Sequence, residues 1–107
     1  MGSIIFGWKR ELVILFNKLS IIESSLNPDA RSHTADHGLF QVNAIHWNTT
    51  CSEYNVFDIK GNALCAGKIL NMKTEYSKKE KHWWTRYHSG TPSKRAAYLK
   101  RYLALGD

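Results

Sequence analysis

The chain reads as a small, mainly α single domain with at most a short hairpin, and three observations carry that reading. Apolar residues recur at three- and four-residue steps over residues 8–24 and again over 62–76. Helix-start chemistry, Thr91 followed by Pro92, opens a third such stretch near the end. With 107 residues the chain can hold one core and not two, so residues 1–107 are expected to form one domain.

Residues 8–24 predict the first helix. Trp8, Leu12, Leu15, Phe16, Leu19 and Ile22 share a face, with Lys9, Arg10, Asn17 and Lys18 between them. Asn27-Pro28 ends it, because the residue before a proline is pushed out of the helical region, and this leaves Glu23 in the last turn. Residues 29–38 are polar and irregular, with room for a short strand or hairpin, and Gly38 permits a tight turn. A second short helix is expected over 39–47 and a loop over 49–58. The next strong helix covers 62–76: Ala63, Ala66, Ile69, Leu70 and Lys73 keep the period, and Gly67 allows close packing. Residues 78–87 continue as helix with Trp83 and Trp84; adjacent helical positions face about 100° apart, so at least one ring belongs to the core. The last helix, capped by Thr91, runs to about residue 105 and is stopped by Gly106. Residues 1–7 are set apart as a tag or disordered segment.

Composition narrows the function classes. An apolar share of 43% with four Trp, five Tyr and four Phe argues for a packed globule and against disorder. No apolar run approaches the ~20 residues of a membrane span. Ile4-Ile5-Phe6 falls short of the ~7–15-residue apolar region of a secretory signal, so a protein working outside the cytoplasm would be a mature form, a trimmed chain or cargo exported by another route. The formal charge is +6; residues 78–101 alone carry a net +7, so the remainder sums to −1. Two readings of that basic stretch stand: a face for a polyanion, or the solvated side of two helices. Cys51 and Cys65 bracket 13 residues without the spacing of a zinc site. They form either one bridge in an oxidising compartment or two buried thiols, and the bridge is the favoured expectation.

Glu23 carries the most chemistry. Ile21, Ile22 and Leu26 flank it, and a carboxyl desolvated by such neighbours would titrate above the unperturbed ~4.3. It could then stay protonated near neutral pH and give its proton to a glycosidic oxygen. Fifteen residues later comes Gly38-Leu39-Phe40-Gln41-Val42-Asn43, and later still Tyr87-His88-Ser89-Gly90-Thr91-Pro92 with Tyr98 beyond. His33 and His37 stand four apart without a third ligand, so no metal site is expected.

Together these segments resemble the lytic transglycosylases of the lysozyme-like superfamily, especially the small branch attached to bacterial secretion and conjugation machines. Glu23-Ser24-Ser25-Leu26-Asn27-Pro28 is similar to the family's first motif, and Gly38-Leu39-Phe40-Gln41 to its Gly-Leu-Met-Gln second motif. The helix that opens with Asn62-Ala63-Leu64-Cys65-Ala66-Gly67 is similar to the one that follows in the family. Tyr87-His88-Ser89-Gly90-Thr91-Pro92 is similar to the third motif as the secretion-linked branch writes it. The likeness spans about residues 10–102 and is specific in combination. It departs from the family at Phe40, in place of methionine, and at Lys94, where longer relatives carry a second glutamate.

The resemblance implies a lysozyme-like fold and cleavage of the β-1,4 bond between N-acetylmuramic acid and N-acetylglucosamine, without cofactor or metal. Glu23 would be the catalytic acid, and Ser32, Gln41, Tyr87 and Tyr98 would line the sugar groove, with Asp36 also among the substrate-binding residues. The chain would act as a monomer on peptidoglycan strands in the periplasm or cell envelope, beside secretion or conjugation proteins. Asp36-His37-Gly38-Leu39-Phe40-Gln41-Val42-Asn43 also resembles a stretch of animal lysozymes in which the aspartate is a second carboxylate. A hydrolase using Glu23 and Asp36 is therefore the enzymatic alternative, and a non-catalytic wall-binding domain the other. A nucleic-acid module rests on the basic helices alone, with no recognised binding motif.

Overall fold

The computed structural model describes residues 9–106. Trp8 and the segment 1–7 set apart above lie outside the described residues. The described residues are mostly helical, with a two-stranded antiparallel hairpin. It divides into two compact units, the first ending at Lys68 and the second beginning at Ile69.

In the first unit, helix α1 spans Arg10–Ser24 and buries Leu15, Phe16 and Leu19 of the stripe that the sequence period predicts, while Leu12 and Ile22 are only half-buried and Ser20, outside that stripe, is buried with them. Glu11 in its first turn complements the positive end of the helix. The helix stops at Ser25, which takes a left-handed φ of 54° and returns its N–H to the Ile21 carbonyl at 2.9 Å. Leu26 follows, also left-handed at φ 64°, so the turn is complete before Asn27-Pro28 is reached.

The hairpin consists of β1 (Asp36–His37) and β2 (Val42–Asn43), with Asp36 opposite Asn43 and His37 opposite Val42. Between them Gly38 (φ 85°) and Gln41 (φ 48°) reverse the chain. This overturns the helix expected over 39–47. Two left-handed residues within four positions cannot enter an α-helix, and only Ala44–His46 form a single 3₁₀ turn. The Trp47 indole N–H donates to the Val42 carbonyl at 3.1 Å and pins that turn to the strand. Phe40, 4% exposed, stacks on Phe16 with ring centroids 4.0 Å apart, which binds the hairpin tip to α1.

The expected loop over 49–58 is present as a series of turns, and α2 then runs Ile59–Lys73, three residues earlier than the apolar period suggests. Asp58 explains the earlier start: its carbonyl accepts from Asn62 N–H at 2.8 Å and its carboxylate from Gly61 N–H at 3.3 Å, a polar cap that an apolar count does not register. Cys51 and Cys65 are joined by a disulfide and are both fully buried.

In the second unit the expected helix over 78–87 is absent. Residues 77–82 are turns, and Trp83–Tyr87 form a 3₁₀ helix. Lys78 and Lys81 would repel at the three-residue spacing of a helix face, and Glu80 is drawn instead to Arg86 (2.7 Å) and Arg95 (3.0 Å). Trp83 and Trp84 are both buried; Trp84 packs against Tyr102 at 4.4 Å. Helix α3 spans Pro92–Ala104. Thr91 holds the cap position but makes no side-chain capping bond; its own N–H donates to Ser89 Oγ at 3.0 Å.

Glu80 is the hub of this unit. The hydrogen bond from Arg86, reinforced against partial desolvation by that from Arg95, holds its carboxyl down to about 2. Because that value lies below the unfolded ~4.3, the network contributes in full above that pH and is lost as pH falls toward 2. Glu80→Gln should therefore unfold at lower denaturant than the wild type at about pH 6, with the gap closing at about pH 2. Urea titrations at the two pH values check this; a gap that persists in acid would remove Glu80 as its source. Two of the eight basic residues between 78 and 101 are thus committed to internal pairing, which leaves a smaller basic face than the charge count implies.

Candidate functional site

Glu23 lies one residue before the end of α1 and is half-buried. A negative charge in the last helical turn works against the helix macrodipole. The apolar cover expected from its neighbours is only partly there, since Ile21 is 39% and Leu26 59% exposed. The two left-handed residues after Ser24 turn Leu26 out to solvent, which a one-dimensional reading of the run could not foresee.

The adjacent Ser24 fastens this helix end to the hairpin. Its hydroxyl donates to the Leu39 carbonyl at 2.8 Å, joining the first motif to the second across fifteen residues. Within the second motif the Gln41 side chain turns inward with its nitrogen. Nε2 donates to the carbonyls of Ala30 and Gly38, both at 3.0 Å, and so uses its two protons on backbone. Among the described residues no donor reaches Gln41 Oε1, so this acceptor is open to a hydroxyl or acetamido N–H of a ligand.

Asp36 is occupied differently. Oδ2 accepts from Ser32 Oγ at 2.6 Å and from Thr34 Oγ1 at 2.7 Å, while Oδ1 accepts from Asn43 Nδ2 at 2.9 Å. Each hydroxyl has one proton, so the 3.0 Å approach of Ser32 Oγ to Thr34 Oγ1 is a packing distance when both donate to Asp36. Ser32 Oγ also accepts from the backbone N–H groups of Thr34 and Asp36. The hydroxyl offered above as a groove contact is thus engaged in closing the 32–36 turn, and Asp36 is the knot of that turn.

Tyr87 and Tyr98 belong to the second unit. Tyr87 is half-buried at the end of the Trp83–Tyr87 turn. Tyr98 is 1% exposed, with its ring stacked on His88 at 4.7 Å and 8°. Its placement corrects the groove-lining expectation: a side chain so enclosed supports the third motif from beneath and offers no face to a sugar. His37 is buried against Phe57, and His33 is exposed. Among the described residues no group of three or more His, Cys, Asp or Glu is placed to hold a metal ion.

The residues that hold the first-unit site in shape and that motif reading passed over are Ser24, Thr34, Asn43 and Asn62. All but Thr34 lie inside the quoted motifs, but Ser24 and Asn62 bond backbone carbonyls up to twenty-five residues away, and Thr34 and Asn43 converge on Asp36 only once the turn is formed.

The family model described as Transglycosylase SLT domain matches residues 10–103. No curated protein and no solved structure matches the chain.

Proposed function

Because the chain belongs to the transglycosylase SLT domain family, which indicates lytic transglycosylase activity on peptidoglycan, we propose that it cleaves glycan strands between N-acetylmuramic acid and N-acetylglucosamine with Glu23 as its single acid–base. The lysozyme-like fold of that family accords with the mostly helical chain and its one hairpin. The observation that carries the proposal is the Ser24–Leu39 bond, which holds the helix end bearing Glu23 against the turn bearing Gln41.

In the proposed reaction the Glu23 carboxyl protonates the glycosidic oxygen as its bond to the muramic anomeric carbon breaks. The resulting carboxylate then takes the proton of the muramic 6-hydroxyl, whose oxygen bonds to that carbon. The products are a 1,6-anhydro end and a free 4-hydroxyl on the departing N-acetylglucosamine; Glu23 is protonated again and no water is consumed. Gln41 Oε1 accepts a hydrogen bond from the glycan, Tyr87 contributes a phenol from the third motif, and Tyr98 positions that motif. The protein acts in the cell envelope as one domain and monomer, opening the wall for a secretion or conjugation machine. The secretion-like form of residues 87–92 supports that last role.

Muropeptides released from purified sacculi test the proposal by mass: anhydro ends are one water lighter than reducing ends. Asp36→Asn separates this chemistry from hydrolysis. A hydrolase needs a second carboxylate as nucleophile or stabiliser, and its neutralisation would be severe. In the transglycosylase reading Asp36 serves the turn, so Asp36→Asn should still yield anhydro products, with about 1–3 kcal/mol lower stability from mismatched donors. Reducing ends from the wild type together with an inactive Asp36→Asn would transfer the chain to the lysozyme mechanism.

A further inference from the structure

Asn62, in the first turn and a half of α2, is 1% exposed, yet it carries a full amide. Nδ2 donates to the His37 carbonyl at 2.8 Å and to the Val56 carbonyl at 3.0 Å, and Oδ1 accepts the Phe40 N–H at 3.1 Å. Both donors and one acceptor are therefore satisfied by backbone, and two of the three bonds grip residues on either side of Gly38 and Leu39. Gly38 completes the joint: a Cβ there would overlap the Asn62 amide, so a glycine is needed for the amide to enter. The turn it grips ends at Gln41, held at φ 48°, a conformation that costs a non-glycine residue about 1 kcal/mol or more and persists only where the surroundings impose it.

We infer that Asn62 is a positioning residue for the substrate-binding turn, fixing residues 38–41 so that Gln41 meets the glycan in one conformation. The inference rests on the reading of Gln41 as a glycan contact given above. A hydrophobic side chain of similar size would fill the same volume, but it would leave the His37 carbonyl and the Phe40 N–H without this partner and the turn free to relax. Asn62 touches no reacting atom in this scheme and acts through Gln41.

The test is a double-mutant cycle of Asn62→Ala with Gln41→Ala. Turnover of sacculi would be followed as kcat/KM, at a temperature where circular dichroism shows every variant folded. Asn62→Ala alone should lower kcat/KM by up to about 10²-fold, the effect of misplacing a contact by about 1 Å. In the Gln41→Ala background the same substitution should change little, because the residue it positions is gone. Equal losses in both backgrounds would make Asn62 a general stability residue and overturn the inference. If Asn62→Ala does not fold, Asn62→Ser carries the same cycle, since it too removes the amide that bonds His37, Val56 and Phe40 while leaving a smaller polar group. A readout independent of turnover separates this from failure of the functional proposal. The Gln41 side-chain amide protons, bonded to Ala30 and Gly38, should shift toward free-glutamine NMR values in the Asn62 variant. Unmoved resonances would overturn the positioning role even in a protein that cuts no wall, whereas an inactive wild type whose variant does shift these resonances counts only against the proposed activity.

Discussion

Glu23→Gln should leave a folded protein that no longer cuts peptidoglycan. Glutamine keeps the length and shape of the side chain, its helix propensity is close to that of glutamate, and the residue sits half-buried in the last turn of α1, so the fold has little reason to change. An amide, however, can neither release a proton to the glycosidic oxygen nor take one from the muramic 6-hydroxyl. Both halves of the proposed reaction use the same carboxyl, so there is no second group to share the loss. The expected fall is about 10²–10⁴-fold in turnover. Release of muropeptides from sacculi measures it, with circular dichroism confirming the fold. Clearing at a near wild-type rate would remove Glu23 from the acid role and with it the proposed mechanism.

Replacing both cysteines by alanine should produce the largest loss of stability. Cys51 and Cys65 are fully buried, and their bridge closes a loop of 13 intervening residues, worth about 3 kcal/mol in the loop-entropy model and about 2–5 kcal/mol in typical small domains. The segment it fixes reaches Val56, whose carbonyl accepts from Asn62, so the loss also loosens one of the bonds that hold the hairpin turn. At about 4–8 °C per kcal/mol for a chain of this size, the midpoint should fall by roughly 10–20 °C or more. Alanine is chosen over serine to avoid burying an unpaired hydroxyl. Thermal scans of wild type with and without reductant give the same comparison without mutation; coincident midpoints would show that the bridge contributes nothing.

Much of the helical frame was legible because it rests on local periodicity. The stripe Leu15, Phe16, Leu19 and the run Ala66, Ile69, Leu70 are buried as their spacing requires. Thr91-Pro92 marks the start of α3, although the threonine side chain makes no cap. The expected helix over 39–47 failed because its apolar residues serve a turn between two strands of two residues each, too short to show alternation. The one over 78–87 failed because Glu80 answers to Arg95, fifteen residues away, rather than to its helical neighbours. At the site, the position of Glu23 in the last turn of a helix was readable from Asn27-Pro28. The engagement of Ser32 with Asp36 and the enclosure of Tyr98 were not, since side-chain partners and depth belong to the packed chain.

The fastening of the hairpin has a further consequence for how the site comes into being. Its ties span short stretches of chain: fifteen positions from Ser24 to Leu39, fourteen from Cys51 to Cys65, and at most twenty-five from Asn62 to His37. The entropy of closing a loop grows only with the logarithm of its length, about 0.6 kcal/mol for each doubling, so none of these closures is much harder than another. Low sequence separation also favours rapid folding. The turn that presents Gln41 can thus assemble from contacts made within a few tens of residues of chain, and its geometry is settled by local encounters rather than by a slow search among distant segments.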